Sequence, residues 1–342
     1  MIVKAISKVI NGINLSEAEM QEVMEDIMSG KSMPSQIASF ITALRMKGET
    51  TEEITAAAKV MRKKVTPVDP AIDCSTVFID TCGTGGDKSG TFNISTVAAF
   101  VIAGAGVKVA KHGNRSATSK CGSADLIKEL GITIDLPLDK SAECIEKTGF
   151  GFLYAPLFHS AMKYVAEVRK EIGIRTIFNM LGPLTNPAKA PAQLIGVYAP
   201  ELTDTFAYVL RNLGCDHALI VHGSDGLDEI TVTGKTKIVE LKGTEITTYS
   251  IHPEDFGIRV ASFNDMRGGS AKENGLIAKK VLSGSKGAKR DVVLLNSAAG
   301  LIAAGKAADF IQGIEIAAQS IDSGKAMAVL QELIQLTSKN AR

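Results

Sequence analysis

The first 65 residues carry the pattern of amphipathic helices, because their apolar side chains recur every three or four positions. Capping-box spacings and an early proline mark where helices begin, and glycines mark where they end. These markers are Ser16 with Glu19, Gly30, Pro34, Gly48, and Thr50 with Glu53. The pattern predicts an entirely helical segment with three helices before any strand.

A different pattern begins near residue 74, where short runs of β-branched and apolar residues alternate with helical stretches. Pro67 and Pro70 precede this change and place a domain boundary within residues 66–73. Strands are predicted at 77–80, 107–110, 132–135, 151–154, 193–198, 218–222, 230–233, 237–241 and 246–250. The helical stretches between the early strands favour parallel pairing, whereas the closely spaced last strands suit antiparallel pairing.

Alanine-rich stretches near 269–283, 288–305, 309–322 and 325–338 predict helices at the end of the chain, with glycines as stops. The whole pattern predicts an α/β fold class with two domains. Residues 1–66 form a small all-helical domain, joined by helices from about 160–185. Residues 74–342 form a larger domain in which helices cover a mainly parallel central sheet. We expect a cleft where the two domains meet.

The composition is that of an ordinary globular enzyme, with 45% hydrophobic and 22% charged residues among 342. The chain has 38 lysine and arginine residues and 37 aspartate and glutamate residues. Because the charges balance, no excess of positive charge favours a nucleic-acid partner. The five cysteines are scattered without a CxxC pair, which indicates reduced thiols and no zinc site. The sequence has neither a signal segment nor an uncharged run of membrane-spanning length, and we expect a soluble, cytoplasmic protein with no membrane partner.

Candidate chemistry first follows the predicted strand at 77–80. Residues 83–87 read Gly-Thr-Gly-Gly-Asp, and three glycines in four positions let the backbone turn tightly and approach a ligand closely. Asn93, Ser95 and Thr96 then begin a helical run, where amides and hydroxyls favour an anion. The same glycines are also compatible with a simple strand–helix connection, and they match neither the dinucleotide nor the P-loop pattern.

A second polar segment, residues 111–119, follows the predicted strand at 107–110. It contains Lys111, Asn114 and several hydroxyls, and a further helix opens near Ser123. Taken singly, Lys111 is compatible with a surface lysine and His112 with an ordinary loop histidine. Because ligands in open α/β sheets bind beyond the carboxyl ends of the strands, two such segments at successive strand ends predict a pocket for a heavily phosphorylated ligand.

Three further features carry candidate chemistry. Asp228 and Glu229 form an adjacent carboxylate pair after a turn at 223–226, which suits magnesium on a diphosphate or, alternatively, a solvated turn. Arg169 lies in a predicted helix, and its planar fork suits two-point binding of a carboxylate, although a surface cation is the alternative. Residues 176–187 combine apolar residues with two prolines and two asparagines, typical of a wall beside a cleft or of a connecting loop.

Together these motifs resemble the anthranilate phosphoribosyltransferases, a tryptophan-pathway family that shares its fold with the pyrimidine nucleoside phosphorylases. The resemblance rests on residues 83–87, 93–96, 111–115, 169, 179–187 and 228–229, and it spans essentially the whole chain. It implies the nucleoside phosphorylase/phosphoribosyltransferase type of fold, dependence on Mg²⁺ with two ions per active site, and a homodimer assembled through the helical domains. The implied reaction transfers the phosphoribosyl group of 5-phosphoribosyl 1-diphosphate to the amine of anthranilate, giving N-(5-phosphoribosyl)anthranilate and diphosphate.

The resemblance also implies roles for individual residues. The residues implied to contact phosphoribosyl diphosphate are Gly83, Gly86, Asp87, Thr91, Asn93, Ile94, Ser95, Thr96, Lys111, His112, Gly113, Asn114, Arg115, Ser116, Ala117, Thr118, Ser119 and Ser123. Ser95, Asp228 and Glu229 would hold magnesium. Gly83, Asn114 and Arg169 would contact anthranilate, with Arg169 facing its carboxylate. Lys111, Asn114 and Arg169 are the implied catalytic residues.

No general base is assigned, because an aromatic amine is already a neutral nucleophile; His112 and His159 are the candidates if one is used. Two other interpretations stay open at this point. A nucleoside phosphorylase would use inorganic phosphate and need no diphosphate-bound metal, and the acidic pair argues against it. A nucleic-acid-binding relative that retains the scaffold is disfavoured by the balanced charge.

Overall fold

Four helices form the first part of the molecule. The computed structural model describes residues 1–69, 77–87, 89–116 and 120–340. The first helices are α1 (Ile2–Ile10), α2 (Glu17–Met28), α3 (Pro34–Lys47) and α4 (Thr51–Lys64). The predicted helical segment is confirmed, but the predicted number of three helices is wrong. The start of α1 has no side-chain cap, and α1 therefore lacked the sequence signal that marked the others.

Capping boxes begin α2 and α4, as the sequence predicted. Ser16 Oγ accepts a hydrogen bond from Glu19 N at 3.3 Å, and Glu19 Oε2 accepts one from Ser16 N at 3.0 Å. Glu53 makes the same exchange with Thr50 and also accepts a hydrogen bond from Leu15 N at 2.9 Å. Because Glu53 is fully buried, these bonds fix the chain before α2 against the start of α4.

A seven-stranded sheet forms the centre of the larger part. Its strands are β1 (Phe78–Gly83), β2 (Lys108–Gly113), β3 (Phe150–Tyr154), β4 (Ala192–Gly196), β5 (His217–Gly223), β6 (Thr236–Lys242) and β7 (Glu245–Ile251). Their order across the sheet is β3-β2-β1-β4-β5-β6-β7. Pairing is parallel from β3 to β5 and antiparallel for β6 and β7. The predicted mainly parallel sheet is therefore confirmed.

Two predicted strands are wrong, because residues 132–135 and 230–233 form no strand. Each segment has the β-branched composition of a strand. In each, however, a backbone N–H donates its hydrogen bond to a side chain on a helix and not to a neighbouring strand. Thr133 N donates to Thr337 Oγ1 at 3.3 Å, and Ile230 N donates to Asn296 Oδ1 at 3.0 Å. A backbone group that is already paired in this way does not need a sheet ladder.

Eleven further helices follow within the described residues, and they include the helices that pack on the two faces of the sheet. They are α5 (Ile94–Gly104), α6 (Ser123–Glu129), α7 (Leu138–Thr148), α8 (Ala155–Phe158), α9 (Lys163–Ile172), α10 (Ile177–Leu184), α11 (Leu202–Asn212), α12 (Ala271–Leu282), α13 (Ala288–Ala303), α14 (Phe310–Asp322) and α15 (Lys325–Asn340). Successive strand residues alternate between two apolar cores, one on each face of the sheet. Leu194 and Leu219 belong to the core that contains α5 and α13. Ile195 and Ile220 belong to the core that contains α1–α4, α10 and α11. Among the described helices, none is both long enough and apolar enough for a membrane span.

A half-buried arginine connects the helical part to the sheet part. Arg62 on α4 donates from Nε to Leu184 O at 2.7 Å and from Nη1 to Leu213 O at 3.1 Å. These carbonyls lie at the ends of α10 and α11, where a cation complements the helix dipole. The four cysteines within the described residues, Cys82, Cys121, Cys144 and Cys215, form no disulfide, as predicted, whereas Cys74 lies outside those residues.

Candidate active site

The order of the parallel strands reverses between β1 and β4, and the candidate site lies where these two strands end. Their last residues, Gly83 and Gly196, are paired. A Cβ on Gly196 would lie 1.5 Å from Asp228 O, and a Cβ on Gly83 would lie 2.9 Å from Asp228 Oδ2. Glycine at both positions therefore lets Asp228 reach the strand ends, which is where open α/β sheets bind ligands. The glycine segment and the acidic pair lie against each other.

The glycine loop after β1 wraps around the same carboxylate. Gly85 N donates to Asp228 Oδ2 at 2.8 Å. Gly85 and Gly86 have φ of 66° and 74°, in the left-handed region that favours glycine. Asp87 Oδ1 accepts a hydrogen bond from Ser89 N at 3.3 Å, whereas its Oδ2 is buried without a hydrogen-bond partner among the described residues. The loop thus brings the Asp87 carboxylate close to that of Asp228.

Helix α5 begins beside the second acid of the pair. Ser95 N donates to Glu229 Oε1 at 3.1 Å, so that the positive end of the helix dipole faces a carboxylate. Asn93 Nδ2 donates to Cys121 O at 3.0 Å and joins this end of α5 to the chain just before α6. Thr96 Oγ1 is buried here, and no described residue provides it with a hydrogen-bond partner.

Lys111 on β2 supplies a buried positive charge. Its side chain is 2% exposed. Nζ donates to Thr81 O and lies 3.4 Å from both Thr81 Oγ1 and Ser95 Oγ. Burial lowers the pKa of Lys111, and nearby acidic groups, Asp80 first, oppose that effect. The cation is therefore held beside Ser95, at the start of α5.

The second polar segment folds back onto the start of α6. Asn114 O accepts hydrogen bonds from Ser123 Oγ and Ala124 N, each at 3.2 Å. A Cβ on Gly113 would lie 2.5 Å from Ser123 Oγ, so that this close packing requires glycine. The predicted contacts that lie outside the described residues are Ala117, Thr118 and Ser119.

Asp228 and Glu229 are partly exposed, and the surrounding protein disfavours their charged forms. Burial, together with the nearby carboxyl groups of Asp87 and Glu229, raises the pKa of Asp228 well above its usual range. Burial raises the pKa of Glu229 to about 7, against the opposing charge of Lys111. Adjacent carboxyl groups with raised pKa values favour a divalent cation, which binds their ionised oxygens and removes the mutual repulsion.

These oxygens fit a magnesium site that substrate and water complete, and not a closed site made by protein side chains alone. Within the described ranges, no three His, Cys, Asp or Glu side chains are arranged to hold a metal ion by themselves. Magnesium binds in general through one or two carboxylates, together with water and substrate phosphates. Asp228 and Glu229 supply such a small set, and the Asp87 oxygen without a partner adjoins it. The donor set therefore fits a magnesium ion that binds together with a diphosphate.

Known proteins resemble this chain along its whole length. Residues 75–327 match the family model "Glycosyl transferase family, a/b domain", and residues 3–65 match "Glycosyl transferase family, helical bundle domain". The anthranilate phosphoribosyltransferase of Moorella thermoacetica is 56% identical over 334 residues, which cover 98% of each protein. The crystal structure of the enzyme of that name from Thermus thermophilus is 41% identical, with a TM-score of 0.92 over 98% of this chain and 99% of its own.

The chain belongs to the anthranilate phosphoribosyltransferase family. The Saccharomyces cerevisiae anthranilate phosphoribosyltransferase in complex with PRPP and Mg is 31% identical, with a TM-score of 0.89 over 99% of this chain and 98% of its own. Another structure of that yeast enzyme contains 4-fluoroanthranilate. The family resemblance inferred from the motifs is therefore confirmed.

In this member of the anthranilate phosphoribosyltransferase family, Arg169 lies apart from the strand-end contacts described above. Its Cζ lies 5.7 Å from the centroid of the Phe178 ring, and burial lowers the pKa of its guanidinium. No hydrogen bond among the described residues joins its side chain to Gly83 or Asn114. Arg169 is therefore a partly buried cation on α9, with its planar fork open to a carboxylate.

Arg175 is a candidate residue that the sequence analysis missed. Its Cζ lies 4.1 Å from the centroid of the Tyr198 ring, and its Nη2 lies 3.1 Å from where a Cβ on Gly86 would be. Stacking on an aromatic ring fixes the plane of a guanidinium and leaves its N–H donors at the edge. In the sequence, Arg175 is one arginine in a loop, and only the fold shows that it adjoins the glycine loop.

His112 and His159 form a buried pair. Their Nε2 atoms are 3.1 Å apart, and His112 Nδ1 lies 3.2 Å from Gly182 O. Burial lowers the pKa of His112 to about 3 and that of His159 to about 4. Both rings are therefore neutral at pH 7, and both nitrogens of His112 already have partners. This arrangement argues against His112 as a general base.

Several predicted contact residues lie at the edge of the site or expose only backbone to it. Thr91 forms an isolated β-bridge with Arg267. Ile94 is 1% exposed and offers only its backbone at the start of α5. Arg115 is exposed, and its N donates to Asn114 Oδ1 at 2.7 Å. The residues that lie nearest the acidic pair are therefore Gly83, Gly85, Asp87, Ser95, Lys111 and Gly196.

Proposed function

We propose that the strand-end site binds phosphoribosyl diphosphate together with magnesium. The chain is a glycosyltransferase of the anthranilate phosphoribosyltransferase family, and it transfers the phosphoribosyl group of 5-phosphoribosyl 1-diphosphate to the amine of anthranilate in tryptophan biosynthesis. The products are N-(5-phosphoribosyl)anthranilate and diphosphate. The observation that carries the assignment of the site is the contact of Asp228 with Gly83, Gly85 and Gly196. It unites the donor-rich strand ends with the acidic pair.

The roles of the predicted residues follow from their chemistry. Backbone amides of the loop at 83–87, hydroxyls of Ser95 and Thr96, and Lys111 are donors suited to phosphate oxygens. Within the described residues, the segment at 111–116 and Ser123 adjoin these donors. Asp228, Glu229 and Ser95 would hold magnesium; the yeast relative in complex with PRPP and Mg supports the use of magnesium. Two ions per active site are part of the same proposal.

The proposed mechanism depends on where charge develops. When diphosphate leaves the ribose carbon, the leaving group gains negative charge and the sugar becomes positive. Lys111 and the loop amides, which are already fixed by folding, stabilise the leaving diphosphate. Bound magnesium would supply additional charge neutralisation. Arg169 and Asn114 orient anthranilate, so that its amine faces the reacting carbon.

A fluorescence assay tests the proposed reaction. The folded protein is mixed with phosphoribosyl diphosphate, Mg²⁺ and anthranilate, and the fluorescence of anthranilate is followed over time. We expect the signal to fall as the amine is consumed, and to persist when magnesium is removed with a chelator. A persistent signal in the complete mixture, from a sample shown to be folded, would contradict the proposed function.

Replacing Arg169 with Gln is expected to impair the use of anthranilate alone. Arg169 has no described ion pair, and its loss removes a charge-assisted pair with the anthranilate carboxylate. We expect the KM for anthranilate to rise by roughly tenfold or more and the KM for phosphoribosyl diphosphate to change little. Arg211→Gln is a suitable control, because Arg211 also lies over an aromatic ring, that of Tyr208, on α11. An equal rise in both KM values would instead identify Arg169 as a structural residue.

Replacing Arg175 with Gln is expected to impair the use of phosphoribosyl diphosphate more than the use of anthranilate. Because its Nη2 adjoins the glycine loop, its loss removes a cation beside the proposed diphosphate site. The KM for phosphoribosyl diphosphate should rise by about tenfold, with a smaller change in the KM for anthranilate. Steady-state kinetics with each substrate varied in turn measures both constants. If anthranilate use suffers more than use of the diphosphate substrate, Arg175 belongs to the acceptor site.

The domain bounds, the oligomeric state and the location are also proposals. We propose a helical domain of residues 1–66, joined by helices within 160–185, and an α/β domain of 74–342; the contacts of α9 with α2 and α3, and of α10 with α3 and α4, support this division. Exposed apolar side chains on α1 and α3, including Val3, Ile10 and Met46, support a homodimer through the helical domains. The scattered cysteines of the sequence support a cytoplasmic location.

A further inference from the structure

The acidic pair lies on a connection that has no helix or strand of its own. Residues 224–235 join β5 to β6 as turns and irregular chain. A segment of this kind is positioned by contacts with other elements. For Asp228 and Glu229 the first of these contacts are those with Gly83, Gly85 and Gly196, and with Ser95 N, as described above. These contacts are made by the strand ends and α5.

A further contact holds the next residue from the opposite side. Asn296 lies on α13 and is fully buried. Its Oδ1 accepts a hydrogen bond from Ile230 N at 3.0 Å, and its Nδ2 donates to Ile230 O at 2.9 Å. Nδ2 also donates to Val292 O at 2.8 Å. One side chain therefore holds both backbone groups of the residue that directly follows Glu229.

Such a two-point contact fixes the orientation of the backbone as well as its position. A single hydrogen bond would allow the backbone to pivot, whereas paired donor and acceptor bonds from one rigid amide do not. Burial of an amide in an apolar core is unfavourable unless its groups are paired. Asn296 meets that condition only while residue 230 stays in place. Movement of the acidic segment away from the strand ends would leave buried polar groups of Asn296 unpaired.

We propose that Asn296 is a positioning residue that holds Asp228 and Glu229 at the separation and direction needed to bind magnesium with the diphosphate substrate. This inference rests on the proposed function of the acidic pair. Asn296 itself touches neither substrate nor metal. It acts through the backbone of Ile230, and it places the carboxylates before any ligand arrives.

The test compares Asn296→Ala, Asn296→Ser and Ser297→Ala with the unaltered enzyme. Ser297 is the matched control, because it is equally buried on α13, and its Oγ has no hydrogen-bond partner within the described part of the chain. Asn296→Ser supplies an uncharged hydroxyl, loses the two-point contact, and leaves a smaller cavity than Asn296→Ala does. It is the second variant if Asn296→Ala is unstable.

Two quantities are measured. The first is the magnesium concentration that gives half-maximal activity, which we expect to rise about tenfold in Asn296→Ala and by a smaller factor in Asn296→Ser. The second is hydrogen exchange of residues 227–233 in the metal-free protein, which reports on the segment without any activity. We expect exchange there to be faster by about tenfold in Asn296→Ala. In Ser297→Ala both quantities should stay within about twofold of the unaltered enzyme.

The outcomes separate this inference from the proposed function. Glu229→Gln is included as a reference for loss of a metal ligand. If Glu229→Gln raises the half-activating magnesium concentration and neither Asn296 variant does, Asn296 is a purely structural residue and the inference is wrong. If Glu229→Gln also leaves that concentration unchanged, the acidic pair does not bind magnesium, and both proposals fail.

Discussion

Asp228→Asn is expected to lower turnover by roughly 10²- to 10³-fold, because it removes a charge from the proposed magnesium and diphosphate site. The substitution keeps the shape of the side chain, and its oxygen can still accept the hydrogen bond from Gly85 N. In a magnesium titration, the variant should need a higher magnesium concentration than the unaltered enzyme to reach half of its own maximal activity. Glu229→Gln, which removes the other carboxylate of the pair, should also lower turnover and raise the magnesium requirement.

The folded state should not suffer from Asp228→Asn. Folding raises the pKa of Asp228, so that the folded protein binds this proton more tightly than the unfolded chain does. The contribution of Asp228 to stability is therefore present below its unfolded pKa, near 4, and is lost as the pH rises above it. A neutral Asn removes this loss, and the Tm of the metal-free protein at pH 7 should be unchanged or higher.

Glu245→Gln on the exposed edge strand β7 provides a control for this experiment, because it removes one carboxylate from an exposed position. It should leave both the magnesium titration and the Tm unchanged. Superimposable magnesium titrations for Asp228→Asn and the unaltered enzyme would contradict the metal role. A lowered Tm in Asp228→Asn would indicate that the carboxylate stabilises the fold instead.

Lys111→Met is expected to reduce kcat/KM for phosphoribosyl diphosphate by about 10²-fold, which is the scale of losing one fixed electrostatic contact to the transition state. Methionine matches the length of the aliphatic stem, but its neutral side chain leaves the buried Asp80 without its nearest cation, so that a lower Tm is also expected. The kinetics are therefore measured at a temperature at which the variant is folded. The effect on the KM for anthranilate should be small, because Lys111 adjoins Ser95 and the start of α5, beside the proposed phosphate and metal contacts.

Lys108→Met is the matched control, since Lys108 begins the same strand and is partly exposed. Its kinetics should stay close to those of the unaltered enzyme. Two results would count against the role of Lys111: kinetics of Lys111→Met that match those of Lys108→Met, or a loss of activity explained entirely by unfolding. Circular dichroism and the Tm separate the second case from a kinetic effect.

The parts of the fold that the sequence predicted have local physical signals. The capping boxes at Ser16 and Thr50 mark helix starts, because the residues that exchange hydrogen bonds are three positions apart. Gly83 ends β1, where the first predicted polar segment begins. The second segment was predicted to follow its strand, but β2 continues to Gly113 and contains Lys111 and His112. Local pairing of this kind is visible from spacing alone.

The errors arose where tertiary contacts replace local ones. The segment at 132–135 has the alternating apolar pattern of a strand, yet Thr133 N finds its partner on α15, about two hundred positions further along. The region 230–233 failed for the same reason, through Asn296. Periodicity reports that a segment is half buried, but it does not report which element satisfies its backbone.

The site was predictable as a set of residue types and not as a geometry. Asp228 and Glu229 were identified as acids, but the close approach of Asp228 depends on the missing side chain of Gly196, which has no special signal in the sequence. Arg175 and Asn296 were missed because a loop arginine and a helical asparagine are common. Only the fold places one beside Gly86 and the other against Ile230.

The central claim is that the two strand-end segments and the acidic pair form one site for phosphoribosyl diphosphate with magnesium. Hydrogen exchange measured with and without this substrate and magnesium tests it most directly. The account predicts that residues 83–96, 111–116 and 226–231 become protected together, and that Asp228→Asn weakens protection in all three. Protection confined to one segment, or protection of the strand ends that is independent of magnesium and Asp228, would contradict the account.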